Sequence, residues 1–221
     1  MTTMSNRRLF EFSLLMLVLA CIRACSEKLT PQEKAIAGFE KLGGTFEDGT
    51  LDLKKASNVT DAELAHLKGL KLKALILSHT QVTDAGLAHL EGLTELKGLM
   101  LHNTRLTDAG LVHLQDLKGL ELLYLSRTDV TDAGLAHLKH LSNLEVLSLD
   151  NTKVTDAGLI HLKSLKRLNS LELNDTKVTD AGVIHLKELT ELHTLALFNT
   201  KITDKGFSDL EMALPKALII R

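Results

Sequence analysis

The chain has no tryptophan and a single tyrosine. Single-stranded nucleic acids are held on stacked aromatic rings, so that ligand class loses its platform. Charge offers no substitute. The 26 Lys and Arg against 28 Asp and Glu leave a net charge of -2, without the basic excess that phosphate backbones demand. Only two cysteines occur, Cys21 and Cys25, and both precede the regular part of the sequence. That part therefore holds no disulfide framework and no thiolate metal site. Its stability must come from apolar packing and hydrogen bonds. The apolar run Phe12–Ala20 is too short for a membrane helix, which needs about 20 residues. Glu11 beside it would be costly within a span.

That run does fit a different purpose. Arg7 and Arg8 precede it, and small or sulfur-bearing residues follow, the three-part layout of a secretory signal peptide. The expectation is export with residues 1–20 removed and residues 21–29 left as a linker. Val18-Leu-Ala-Cys21 resembles the lipobox of bacterial lipoproteins. The resemblance implies a lipid on Cys21 and membrane anchoring. Cleavage by ordinary signal peptidase after Ala20 or Ser26 is the alternative, and Asn6-Arg-Arg-Leu-Phe10 loosely resembles a twin-arginine signal. Each route predicts an exported protein, whether periplasmic, membrane-anchored or secreted.

What the rest of the chain has in abundance is repetition. Val82-Thr-Asp-Ala-Gly-Leu-Ala-His-Leu90 recurs almost letter for letter, its aspartate returning at Asp61, Asp84, Asp108, Asp132, Asp156, Asp180 and Asp204. A fixed period of this length marks a stacked solenoid, which favours a binding surface over a buried catalytic pocket. Before the repeats, Thr30-Pro-Gln-Glu33 predicts a capping box and a helix start. Ala35, Ile36, Phe39 and Leu42 give that helix an apolar stripe, and Gly43-Gly44 ends it. Residues 30–44 are thus expected to be an N-terminal capping helix, with the repeat domain over 45–221.

Each repeat has two halves. One reads Leu-x-x-Leu-x-Leu-x-x-Thr, as in Leu144, Leu147, Leu149 and Thr152. Its Leu-x-Leu core predicts a short strand with both leucines inward. The pairs run from Leu51/Leu53 and Leu75/Leu77 to Leu195/Leu197 and Leu218/Ile220, eight rungs of one parallel sheet. In the other half Thr83 is expected to cap a helix and Asp84 to favour its positive end. These residues resemble leucine-rich repeat proteins, in particular the bacterial relatives of the cysteine-containing repeat class. The fold class implied is α/β: a curved right-handed solenoid with a parallel sheet on the concave face and helices on the convex face. Thr80, Thr104, Thr128, Thr152, Thr176 and Thr200 stand where that family often has Asn or Cys. Their hydroxyls are expected to donate to a neighbouring repeat's carbonyl.

His66, His89, His113, His137, His161 and His185 occupy equivalent helix positions. Adjacent helices lie roughly 8–10 Å apart, whereas zinc holds each ligand at about 2 Å, so that ladder is expected to pack rather than bind metal. One aspartate per repeat does not make a calcium cage. No cofactor and no metal is expected.

Function should lie where the repeats differ, in the columns that point outward from the strands. Ile76, Met100 and Tyr124 are expected to form an apolar patch, with His102 and Arg127 beside it and an acidic patch of Asp150, Glu172 and Asp175 next to that. An apolar centre with Tyr, Arg and a polar rim is interface-like. The reading is a non-enzymatic recognition module that takes a protein or peptide partner, not nucleic acid, on its concave face. Two rivals stand beside it. Similar repeats occur in F-box ubiquitin adaptors, although no F-box helices precede these repeats. A catalytic or metal-dependent role would need His102, Tyr124 and Asp150 to converge. Finally, Leu218 to Ile220 is expected to offer an open strand edge for weak self-association.

Overall fold

The computed structural model describes residues 29–221. Export and the lipid on Cys21 fall outside the described residues. The chain divides into two units between Gly38 and Phe39. The first holds most of helix α1 (Pro31–Lys41). Its start is a capping box: Glu33 N donates to Thr30 Oγ1 at 3.2 Å, and Thr30 N donates to Glu33 Oε2 at 2.7 Å. Two backbone donors that the helix cannot satisfy are thereby paired.

The second unit, residues 39–221, carries a nine-stranded sheet in chain order. The strands are β1 (Thr45–Glu47), β2 (Thr50–Asp52), β3 (Ala74–Ile76), β4 (Gly98–Met100), β5 (Leu122–Tyr124), β6 (Val146–Ser148), β7 (Ser170–Glu172), β8 (Thr194–Ala196) and β9 (Leu218–Ile220). From β2 onward all neighbours are parallel, and the register matches equivalent repeat positions: Leu75 faces Leu99, which faces Leu123. Strand β1 is an addition to the expected eight, antiparallel to β2. Asp48 (φ 50°) and Gly49 (φ 83°) make the tight turn between them. Two positive φ values in a two-residue loop are the hairpin geometry that Asp-Gly favours.

Both leucines of each inner pair point into the core. Leu75, Leu77, Leu99, Leu101, Leu123 and Leu125 are 0% exposed. Burying such a side chain contributes about 1.5–3 kcal/mol. The last rung departs from expectation. Ile219, not Leu218, pairs with Leu195. Ile219 therefore takes the inward place, while Leu218 and Ile220 are 65% and 43% exposed. Because side chains alternate with a period of two, a one-residue error in register turns every one of them over.

The helical halves are short. In several repeats a four-residue α-turn such as Asp84–Leu87 tightens into a 3₁₀ turn such as Ala88–Leu90. Their aspartates do more than favour a helix end. Asp61 Oδ1 accepts from Thr83 N at 2.8 Å, and Asp61 Oδ2 accepts from Thr83 Oγ1 at 2.6 Å. The same pair of bonds joins Asp84 to Thr107, Asp108 to Thr131, Asp132 to Thr155, Asp156 to Thr179 and Asp180 to Thr203. Each carboxylate thus clamps the helix start of the next repeat. Thr83, expected to cap its own helix, makes no side-chain cap bond, whereas Thr107 and Thr131 donate to the clamp and also accept from the N–H two residues on. The repeated glycine follows from the same clamp. A Cβ on Gly86 would collide with Asp61 Oδ1, and one on Gly134 with Asp108 Oδ1.

The other threonine ladder turns inward on its own repeat. Thr80 Oγ1 donates to Leu77 O at 2.6 Å, and Thr104, Thr128, Thr152, Thr176 and Thr200 repeat the bond to the leucine three residues earlier. The neighbouring repeat's carbonyl is not the acceptor, since the strand-end turn brings the hydroxyl back over the residue that follows the strand.

Candidate functional site

With the leucines, both threonine ladders, the aspartates and the glycines occupied by the fold, the outward strand face holds the residues that vary. Three columns run along it. The middle one places Ile76, Met100, Tyr124 and then Ser148, Glu172 and Ala196 side by side on adjacent strands. Ile76, Met100, Tyr124 and Glu172 are half-buried, whereas Ser148 is 1% and Ala196 6% exposed. A second column, two residues earlier on each strand, shares the face: Ala74, Gly98, Leu122, Val146 and Ser170. Leu122 and Val146 are half-buried there, and they extend the apolar patch beyond the three residues expected. The signal was available, because residues i and i+2 of a strand share a face.

After the strands the chain turns through a left-handed residue in each repeat: His79 (φ 64°), Asn103 (54°), Arg127 (56°), Asn151 (52°), Asp175 (56°) and Asn199 (54°). Asn, Asp and His tolerate this region better than other non-glycine residues. Backbone geometry therefore accounts for most of this column, Asp175 included. Arg127 is the residue it does not account for.

At one end of the face, His79 and His102 form a bonded pair. His102 Nδ1 lies 2.8 Å from Ser78 Oγ, the two Nε2 atoms are 3.2 Å apart, and Asn103 Nδ2 lies 2.8 Å from His79 Nδ1. One proton arrangement satisfies all three contacts. The Asn103 amide donates to His79 Nδ1, His79 Nε2–H donates to His102 Nε2, and His102 Nδ1–H donates to Ser78 Oγ. Burial, with His79 and Arg127 adding repulsion, pushes His102 below the usual imidazole range.

Toward the other end, Arg127, Asp150, Glu172, Asp175, Ala196, Phe198 and Ile220 line an open depression of about 540 Å³. Asp150 Oδ1 accepts from Asn174 N at 2.8 Å. Burial raises the Asp150 carboxyl above its ordinary range; the Asn174 bonds oppose the rise, and Glu172 and Asp175 add to it. Phe198 is 60% exposed at the rim. The depression thus brings three of the expected residues, Asp150, Glu172 and Asp175, to one place with Arg127. His102 bonds to Ser78 and His79, and Asp150 to Asn174. Among the described residues no hydrogen bond joins His102, Tyr124 and Asp150.

Histidines of the helix ladder lie apart from this face. His113 Nδ1 is 2.7 Å from Glu91 Oε1 of the preceding repeat. The Nδ1 atom of His185 is buried without a partner.

Stacked strand, turn and short helix, repeated with one register, make the fold a leucine-rich repeat solenoid. Comparison with known proteins agrees. The family described as Leucine Rich repeat matches residues 70–90. The chain is similar to the solved internalin InlF of Listeria monocytogenes, with 27% identity over 72% of this chain and a TM-score of 0.59. It is also similar to internalin C2 of the same organism, with 26% identity over 73% of this chain and a TM-score of 0.54. It spans 43% of the InlF chain and 76% of the internalin C2 chain. No curated protein sequence matches it. Among the described residues no helix is long and apolar enough to cross a membrane.

Proposed function

We propose that this protein is a non-enzymatic recognition module whose strand face binds a protein or peptide. One observation carries the reading. The leucines, threonines, aspartates and glycines that recur between repeats are consumed by the stack, and the strand face holds positions that vary. There an apolar strip of Ile76, Met100, Leu122, Tyr124 and Val146 adjoins Arg127 and the depression that holds Asp150, Glu172 and Asp175. Tyrosine and arginine beside an apolar strip are the residues that anchor interfaces. The test is proximity labelling by the wild-type protein and by the double variant Tyr124→Ala, Arg127→Ala. A partner labelled by the first and lost by the second supports the reading; an identical set of labelled proteins sinks it.

Export remains part of the proposal, supported by Arg7, Arg8 and the apolar run Phe12–Ala20 and by the likeness to internalins. Anchoring by a lipid on Cys21 rests on Val18-Leu-Ala-Cys21. The Thr-Asp-Ala-Gly-Leu signature supports kinship with the bacterial relatives of the cysteine-containing repeat class. Weak self-association is retained on the exposure of Leu218 and Ile220. Sedimentation across micromolar concentrations, compared with Leu218→Lys, tests it; a strict monomer in both removes it.

A further inference from the structure

We propose that His79 and His102 form a two-histidine site for a late first-row transition-metal ion, such as zinc, on the strand face. Two imidazole nitrogens held at about 2.0–2.1 Å by one tetrahedral ion lie about 3.3 Å apart. The two Nε2 atoms here are 3.2 Å apart. Their ring centroids are 4.8 Å apart and the ring planes are nearly perpendicular, at 89°, so the rings approach without stacking.

What makes this a site rather than a chance contact is the second layer of partners. A metal-binding histidine normally spends its other ring nitrogen on a protein group, which fixes the ring and aims the free nitrogen. Both histidines do so. Ser78 Oγ holds His102 Nδ1 and the Asn103 amide holds His79 Nδ1, each at 2.8 Å. Ser78 is itself 1% exposed, so its side chain is fixed by its surroundings. The backbones are tied as well: His79 N donates to His102 O at 3.1 Å. His79 further sits in a left-handed turn, φ 64°, in the same place as its counterparts along the stack. Little freedom is left to lose when an ion arrives.

Proton balance is straightforward. Without an ion, His79 Nε2–H donates to His102 Nε2. With one, that proton moves to His79 Nδ1, both Nε2 lone pairs face the ion, and the Asn103 amide turns so that its oxygen accepts from Nδ1–H. No net proton is released by this exchange. Two ligands leave the remaining coordination positions to water or to a partner's side chain. Among the described residues no group of three or more His, Cys, Asp or Glu gathers around one point. The ion is therefore held by two protein ligands, with modest affinity. Arg127, close enough to add its charge to the surroundings of His102, weakens the hold on a cation and favours an anionic group in an open position. The helix histidines are a separate set, and the distance argument against them does not touch this pair.

The full-length protein titrated with zinc chloride tests the proposal. By calorimetry, the wild type binds one more equivalent than His79→Gln or His102→Gln, or binds it at least tenfold more tightly. The double variant His113→Gln, His137→Gln matches the wild type. Cys21 and Cys25 are present in every variant, so any zinc they take cancels in the comparison. A second readout needs no variant: equimolar zinc shifts the imidazole proton resonances of His79 and His102. Binding by His102→Gln as tight as that of the wild type overturns the proposal, as do ring resonances that zinc leaves unmoved.

Discussion

The carboxylate of Asp108 grips Thr131 with both oxygens. Oδ1 accepts from the backbone N–H at 2.7 Å and Oδ2 from the hydroxyl at 2.6 Å. It joins two repeats that also meet through apolar contacts, strand hydrogen bonds and the loop bond from Asp129 N to Leu106 O at 2.9 Å. A Cβ on Gly134 would collide with the same carboxylate. Three residue types of the recurring motif, Asp, Thr and Gly, are therefore one device.

Removing one part of that device should reveal the others. Hydrogen bonds to a charged group contribute about 1.5–3 kcal/mol, so Asp108→Ala should destabilise the protein by an amount in that range. Gly134→Ala should also destabilise it. The double variant should lose less than the sum, because without the carboxylate the new Cβ meets less. Denaturant unfolding of the four proteins measures the coupling. Strict additivity would show that the clamp and the glycine act independently.

How much of this was legible beforehand follows from particular residues. The period, the inward leucines and the strand–helix alternation stand in the sequence because 24-residue spacing and Leu-x-Leu alternation are local patterns. The Asp–Thr clamp does not, since its partners are 22 or 23 residues apart and only the stacking brings them together. Strand β1 had a local signal, the Asp48-Gly49 turn. Leu122 and Val146 had one too, the parity of the strand. The inversion at Leu218 had none that outweighed the misleading leucine. On the strand face the depression lined by Asp150, Glu172 and Asp175 also needs Phe198 and Ile220, and Ile220 came into view only with the corrected register.

Acid should loosen the stack. The Thr203 hydroxyl, followed by its backbone N–H, holds the Asp180 carboxyl below its ordinary 3.8. A carboxyl with a lowered folded-state value contributes stability above the unfolded value and loses it as pH falls through the folded one. Thermal unfolding should show the melting temperature dropping as pH falls from about 4 toward about 2, with a shallower drop in Asp180→Asn. Parallel curves for the two proteins would count against a contribution from this pair.

Asp150 should behave with the opposite sign. Its folded-state value is raised above 3.8, chiefly by burial, so its ionised form opposes folding at neutral pH. Lowering the pH through the raised value relieves that opposition. Asp150→Asn keeps an oxygen for Asn174 N and removes the charge. It should raise the melting temperature at neutral pH, and the gain should shrink toward about pH 4. A variant less stable than the wild type at neutral pH would mean that the carboxylate is worth more to the fold than its burial costs.

Maturation is checked at the N-terminus. Mass spectrometry of the protein from its native host should find residues 1–20 removed and Cys21 carrying a lipid. A new terminus without lipid would leave export standing and remove anchoring, and an intact Met1 would remove both.

The central claim is that recognition belongs to the strand face, and the affinity of an identified partner tests it most directly. Tyr124→Ala and Arg127→Ala should each weaken binding by about 1–2 kcal/mol, with melting temperatures near that of the wild type. Ile184→Ala, at a 65% exposed helix position, should leave the affinity unchanged. Loss of binding in Ile184→Ala, with Tyr124→Ala and Arg127→Ala binding as the wild type does, would place recognition on the helix side and contradict the account.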